Sequence, residues 1–446
     1  MKTIKIFALA TILLSLFFSH SLRAWSEHPL LAYPVLSTIE GLNAKDPVTA
    51  KTLKTFLIEN EAELEKFLKQ HEQWLTENME YYPPLPEELA FKATGNADDI
   101  VDRFLRAIRL NPNAKMRLYL HLLPFEEVGD RNPISPTKLS TLNDVSSLEH
   151  TNYVELFEGD MVSPIAVLYT ANDEPDYGFD LGLFEDNNTP MGDTYGLGEQ
   201  PFGDPNLEYG SQAPFHMGFY HEARIVFFFG PFLKKTLPEY RINQFKALAK
   251  FAFENNNPYW GYRFMGWGMH YLGDLSMPYH SVALPGVSAL KMIWTNIKSM
   301  LGFPRSKDNA VQIVSNRHSA LEQFQWQILK NAYEGKLKTE HPFIQALQNP
   351  IEQVDYYTNF PREVAAKESA DRSKAVDKSL KKHMPDKLVS DPKFETPGAP
   401  ELYKIVEITK QEKGQNALDE MIDVIADLFR SYSMHIKSYY SEIAGS

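Results

Sequence analysis

The segment His270-Tyr-Leu-Gly-Asp274-Leu-Ser-Met-Pro278-Tyr-His280 sets two imidazoles and a carboxylate within eleven residues. On a helix, residues i and i+4 share a face, so His270 and Asp274 point the same way. Pro278 is expected to end that helix and let His280 turn back toward the same face. Imidazole and carboxylate are both zinc ligands. Taken alone, a His-x-x-x-Asp pair reads as a buried His with an Asp partner at a helix end. Further groups at suggestive spacings reverse that weighting. His318-Ser-Ala-Leu-Glu322 repeats the i, i+4 arrangement, and Trp25-Ser-Glu-His28 adds an imidazole near the start. Asp173-Glu-Pro-Asp176-Tyr177-Gly-Phe-Asp180 and Phe215-His216-Met-Gly-Phe-Tyr-His221-Glu222 add carboxylates and two more imidazoles. The chain has no Cys. Disulfides and thiolate metal sites are therefore excluded, and any zinc must be held by His, Asp, Glu or backbone groups.

The elements that must position these groups read as mainly helical. Leu53 to Met79 carries Leu53, Phe56, Leu57, Leu64, Phe67 and Leu68 at helical period. Asn96 or Asp98 can cap a second helix with Ile100, Val101, Phe104, Leu105 and Ile108 on its buried side. Asn243 to Asn255, Val311 to Tyr333 and Ala417 to Ile443 have the same character. Tyr259 to Asp274 is apolar nearly all round and is expected at the centre. Strand signals are few, with Ile225 to Phe229 the best candidate and itself open to a helical reading. Residues 157–214 and 384–402 are rich in loop-forming residues. The first holds the Asp176 segment and is read as a functional loop.

The chain is 446 residues long, 43% hydrophobic and 23% charged, which excludes bulk disorder. Its net charge of -13 argues against a non-specific nucleic-acid binder. Residues 1–24 read as a secretory signal peptide, with Lys2 and Lys5, an apolar run from Ile6 to Phe18 and cleavage after Ala24. The mature chain would begin at Trp25, as a secreted or periplasmic protein. No other run is long and apolar enough to span a bilayer, so no transmembrane segment is expected.

With these residues in view, the sequence resembles the zinc-dependent phospholipase C and S1/P1 nuclease superfamily. His270, Gly273, Asp274, Pro278 and His280 stand in the register His-x-x-Gly-Asp-x-x-x-Pro-x-His. His318 with Glu322 matches the later His-x-x-x-Glu of the phospholipases, where the nucleases carry Asp. The likeness covers residues 25–40, about 170–222 and 240–330. It implies a multi-helix domain over residues 25–375 with loop insertions, and a helical segment over 376–446 packed on it. It further implies three Zn2+ ions. One would be held by Asp176, His216, His270 and Asp274, a second by His280, His318 and Glu322. A third would be held by the Trp25 amine and carbonyl, His28 and Asp274, which bridges. Asp176 would also orient or deprotonate the attacking water, and Tyr177 would touch a choline headgroup. The implied activity is hydrolysis of phosphatidylcholine or a related phospholipid to diacylglycerol and a phosphorylated headgroup. Transient contact with a membrane surface goes with it, and stable nucleic-acid binding does not. A single-strand nuclease and 3′-nucleotidase on the same metals is the first alternative. A zinc-binding exported protein without turnover is the second. The chain departs from the family in its short Trp25 to His28 spacing. It departs again at Leu275, Ser276 and Met277, where polar residues are usual.

Several assignments stay open at this level. Asp173 or Asp180 could stand in for Asp176, and His221 for His216, since those two histidines are five apart and share a helical face poorly. His71, His121, His150, His341, His383 and His435 read as structural or surface residues. Tyr259-Trp260 and Phe227 to Phe229 read as core rather than lipid contact.

Overall fold

A computed structural model describes residues 27–335 and 339–445. Trp25 and the expected signal peptide lie outside the described residues. The chain is mainly helical. The first helix is α1 (His28–Leu36), with α2 (Leu53–Asn78), α3 (Ile100–Ala107), α4 (Pro164–Ala171), α5 (Glu208–His216) and α6 (Arg224–Phe229) after it. The core pair α7 (Pro238–Glu254) and α8 (Pro258–Leu275) follows, then α9 (Pro278–Ser281), α10 (Ala289–Met300) and α11 (Arg305–Glu334). The C-terminal part holds α12 (Pro342–Gln348), α13 (Lys367–His383), α14 (Asp386–Val389), α15 (Ile405–Lys413) and α16 (Gln415–Ala444).

Helix α8 is the centre of the molecule. Every residue from Tyr259 to Leu275 is buried, as its all-round apolar sequence requires. Small residues let its neighbours approach closely. A Cβ on Gly266 would lie 2.6 Å from Ala171 Cβ and 2.7 Å from Leu168 O, so α4 packs backbone against backbone here. A Cβ on Gly268 would overlap the hydroxyl of Tyr439, which brings α16 onto the opposite side. The C-terminal segment thus packs directly on the helix that carries His270 and Asp274. On a third side, Phe245 of α7 meets Trp267 and Tyr271.

Pro278 does not end α8. The helix stops at Leu275, and Pro278 opens α9, where a missing N–H costs nothing. The expected outcome is the same, because α9 turns His280 back toward α8. The second predicted helix is preceded by Asp99 rather than Asn96 or Asp98, and Asp99 pairs with Arg103 one turn on.

Residues 157–214 are not one long loop. They contain β4 (Met161–Val162), α4, a short 3-10 turn at Glu174–Tyr177, another at Glu185–Asn187 and α5. Buried ion pairs hold this region in place. Arg263 of α8 pairs with Glu174, and Trp267 donates to the same carboxylate. Arg241 of α7 pairs with Asp180, to which Tyr271 also donates. Residues 384–402 likewise contain α14 and the start of a 3-10 turn at Pro400–Lys404.

The strands are short and escaped the sequence pattern. β1 (Val48–Thr49) pairs antiparallel with β4. β2 (Tyr119–Leu122) pairs antiparallel with β3 (Asn152–Glu155), setting His121 opposite Tyr153. The strand candidate at 225–229 is helix α6.

Candidate metal centre

Four side chains converge from three parts of the chain. The 3-10 turn presents Asp176, the last residue of α5 is His216, and α8 presents His270 and Asp274 one turn apart. His270 Nε2 lies 3.6 Å from Asp176 Oδ1, 3.5 Å from Asp274 Oδ2 and 3.3 Å from His216 Nδ1. His216 Nδ1 lies 2.7 Å from Asp274 Oδ2 and 4.0 Å from Asp176 Oδ1. Donor atoms on a tetrahedral zinc with bonds near 2.0 Å sit roughly 3.3 Å apart. Asp176, His216 and His270 stand near that spacing, while the 2.7 Å contact of His216 with Asp274 is a direct hydrogen bond.

Asp274 faces two ways. Its Oδ2 looks toward His216 and His270, while Oδ1 lies 3.4 Å from His28 Nε2 at the start of α1. The His28 and His270 rings are 4.0 Å apart, centre to centre. His28, His270 and Asp274 form one buried group that could hold a metal ion, and Asp176, His216 and His270 form another.

A third group is His280, His318 and Glu322, also buried. His318 Nε2 lies 2.8 Å from Glu322 Oε1, as their i, i+4 spacing on α11 requires. The His280 ring centre is 5.1 Å from that of His318. Glu322 also borders a cleft lined by Ser147, His150, Trp326, Leu402 and Tyr403.

Neighbouring groups orient the imidazoles. His270 Nδ1 is 2.8 Å from Asn172 O, just past α4, so Nε2 faces the cluster. His280 Nδ1 is 3.0 Å from His216 O, which leaves Nε2 pointing onward. Asp180 lies 3.5 Å behind His216 Nε2 and is itself anchored by Arg241. Such outer partners fix ring orientation at metal sites.

Electrostatics separate the histidines. Burial, then the neighbouring His216 charge, pushes His280 down to about 3. Burial and His280 hold His318 well below its ordinary value, and burial lowers His270. These rings are neutral at pH 7, the state in which imidazole binds a metal. His216 behaves oppositely. Burial opposes its charged form, but hydrogen bonds to Asp180 and Asp274 outweigh that and raise it to about 10. Burial raises Asp274.

Two buried atoms test whether a cation fits. His280 Nε2 has no hydrogen-bond partner among the described residues, and Asp274 Oδ1 has only its 3.4 Å ion-pair contact with His28 Nε2. Buried polar atoms are nearly always partnered. These two belong to the groups just described, and all their donors are nitrogen or oxygen ligands suited to zinc. The residues fit a cation.

The structure places the open alternatives apart from one another. Asp180 serves Arg241 and His216 rather than the donor set, and His221 Nε2 contacts Arg362 O outside it. Asp173 belongs to a fourth buried group with Glu27 and His121. His121 stands between them, with Nε2 3.7 Å from Glu27 and Nδ1 3.9 Å from Asp173. His121, expected to be structural or at the surface, thus faces two carboxylates, and nothing local in the sequence marks a short-strand residue as doing so. Tyr177 turns toward this fourth group. Its hydroxyl donates to Asp173 Oδ2 at 2.7 Å and lies 3.1 Å from the Tyr153 hydroxyl. It is 2% exposed, so in this conformation it offers no surface to a headgroup.

No protein-family model, curated protein or solved structure matches the chain.

Proposed function

We propose that this protein is an exported zinc-dependent phospholipase C that cleaves phosphatidylcholine or a related phospholipid to diacylglycerol and a phosphorylated headgroup. The observation that carries the reading is the pair of adjacent donor sets, Asp176/His216/His270/Asp274 and His280/His318/Glu322. They are linked through the 3.0 Å contact between His280 Nδ1 and His216 O. Zinc held there supplies positive charge for phosphoryl oxygens and lowers the pKa of water to near neutral.

The chain's own residues supply the rest. His270, His280 and His318 stay neutral through burial and so keep lone pairs for ligation at pH 7. Asp274 offers one oxygen to each of two neighbouring groups. Asp176 is the carboxylate assigned to orient the attacking water and accept its proton. Trp326 and Tyr403 line the cleft at Glu322 and suit a substrate with both polar and apolar parts. Glu322, rather than Asp, is the form carried by the phospholipases the sequence resembles.

The test uses mature protein beginning at Trp25 and phosphatidylcholine vesicles. Phosphocholine release that stops with chelator and returns with zinc is the expected result. His318→Ala should lower that release by at least about a hundredfold, the scale of losing a metal ligand's contribution. A zinc-loaded protein that releases no headgroup yet degrades single-stranded DNA would transfer the site to nucleic-acid hydrolysis.

A further inference from the structure

The aromatic run Phe227 to Phe229, expected in the core, is largely outside it. Phe228 is 75% exposed, and Ile225 and Phe229 are also exposed. Leu290 (78%) and Trp294 (58%) of the adjoining helix α10, and Leu301 (70%) and Phe303 (69%) just past its end, are open to solvent. Leu290 and Trp294 follow i, i+4 on one face of α10, and Leu301 is the residue that caps its C-terminal end. Met292 and Thr295 on the far side are buried against the protein. Helix α10 is therefore apolar on the outward face as well as the inward one. Helix α6 packs against it, so the two sets of exposed side chains are neighbours.

Charge accompanies the stripe. Residues 223–235 and 282–307 contain seven basic residues, with the acidic Glu222 and Asp308 flanking them, in a chain of net charge -13. The basic residues are Arg224, Lys234, Lys235, Lys291, Lys298, Arg305 and Lys307. Lys298 Nζ stands 5.5 Å from the Trp294 ring and Lys234 Nζ 5.3 Å from the Phe227 ring. Exposed aromatics and aliphatics interleaved with lysine form the pattern of a helix lying in a lipid headgroup layer. A large exposed apolar patch marks an interaction site. No helix among the described residues is long and apolar enough to cross a membrane, so lying on the surface is the geometry available to α10.

Along the chain, the elements of the patch alternate with those that carry the donor groups. His216 ends α5 a few residues before α6, and His280 in α9 precedes α10. Helix α11, which carries His318 and Glu322, begins directly after Phe303.

We infer that α6 and α10 form the face by which this protein seats on an anionic phospholipid bilayer, with Phe228, Leu290, Trp294, Leu301 and Phe303 entering the headgroup layer and the flanking lysines and arginines meeting lipid phosphates. The choice of a bilayer rather than a second copy of the chain rests on the phospholipase reading, together with this local excess of positive charge. Two copies would bring like charges face to face.

The test separates docking from hydrolysis. Mature protein is co-sedimented with phosphatidylcholine vesicles, with and without phosphatidylglycerol, and turnover is measured on water-soluble p-nitrophenyl phosphocholine. The parent should bind the anionic vesicles more tightly and lose that preference as salt rises. Phe228→Ser with Trp294→Ser should weaken vesicle binding at least about tenfold. Turnover of the soluble compound should not change. Lys291→Glu with Lys298→Glu should abolish the preference for anionic vesicles. Unchanged binding of the double serine variant would overturn the proposal. So would a parent dimer that the same substitutions dissociate and that never binds vesicles. If vesicle binding falls as expected while neither protein turns over the soluble compound, the docking face stands and the phospholipase reading fails.

Discussion

Asp274 is the residue on which the centre turns. Its two oxygens face different partners, His28 on one side and His216 with His270 on the other. Asp274→Asn removes the charge that both sides share. Bound zinc, measured by mass spectrometry after dialysis, should then fall by more than one equivalent, and a loss of one or none contradicts the shared role. His71 illustrates a different residue-scale effect, away from the centre. Burial, with the Phe67 and Trp74 rings parallel to it nearby, and the Lys246 charge push its imidazole down to about 4. An unfolded histidine titrates near 6.5. Between these values the unfolded chain binds more protons, so stability is full above about pH 6.5 and falls as pH drops toward 4. The upper bound of that loss is roughly 3 kcal/mol, less where water reaches the ring. His71→Phe keeps an aromatic ring there and removes the proton site. Its urea midpoint should change less than the parent's between about pH 7.5 and about pH 5, and an identical change would remove His71 from the account. His270 with Asp274 and His318 with Glu322 were legible in the sequence because i, i+4 spacing is local. The placement of Asp173, Asp176 and Asp180 was not, because Arg263 and Arg241 hold Glu174 and Asp180 from helices far along the chain.

At the scale of elements, α8 works because its glycines admit α4 and α16 to its backbone. Gly268→Ala would drive a methyl group into the Tyr439 hydroxyl. Overpacking of that kind costs about 1–3 kcal/mol. A lowered thermal midpoint with zinc content retained is the expected result, and an unchanged midpoint would show that α16 yields freely. The helices α2, α7, α8, α11 and α16 were legible because each is long and periodic. The region 157–214 was misread as loop because its order comes from buried ion pairs and short turns rather than from a repeating pattern. The β2–β3 pair was missed for a related reason, as four-residue strands leave little alternation to see. Helix α6 was assigned to the core because Phe227 to Phe229 are apolar, and hydrophobicity alone does not report which apolar groups find a covering neighbour.

At the scale of the whole molecule, the N-terminal region, α4, the 3-10 turn, α5, α8, α9 and α11 each deliver part of one buried centre. A metal ion held there would couple its binding to folding of the chain, because its ligands come from distant segments. On the resemblance to the zinc-dependent phospholipases, the Trp25 amine would hold a third ion, and that amine would exist only after cleavage following Ala24. A mature chain carrying extra residues ahead of Trp25 should therefore hold one zinc fewer and lose most phosphocholine release. Full zinc content in the extended chain would contradict that assignment. The central claim is that these clusters are metal sites, and metal stoichiometry tests it most directly. The mature protein, loaded with zinc, dialysed and measured by mass spectrometry, should retain three equivalents, and His318→Ala with Glu322→Ala should retain two. Retention of one equivalent or none by the folded parent protein would contradict the account.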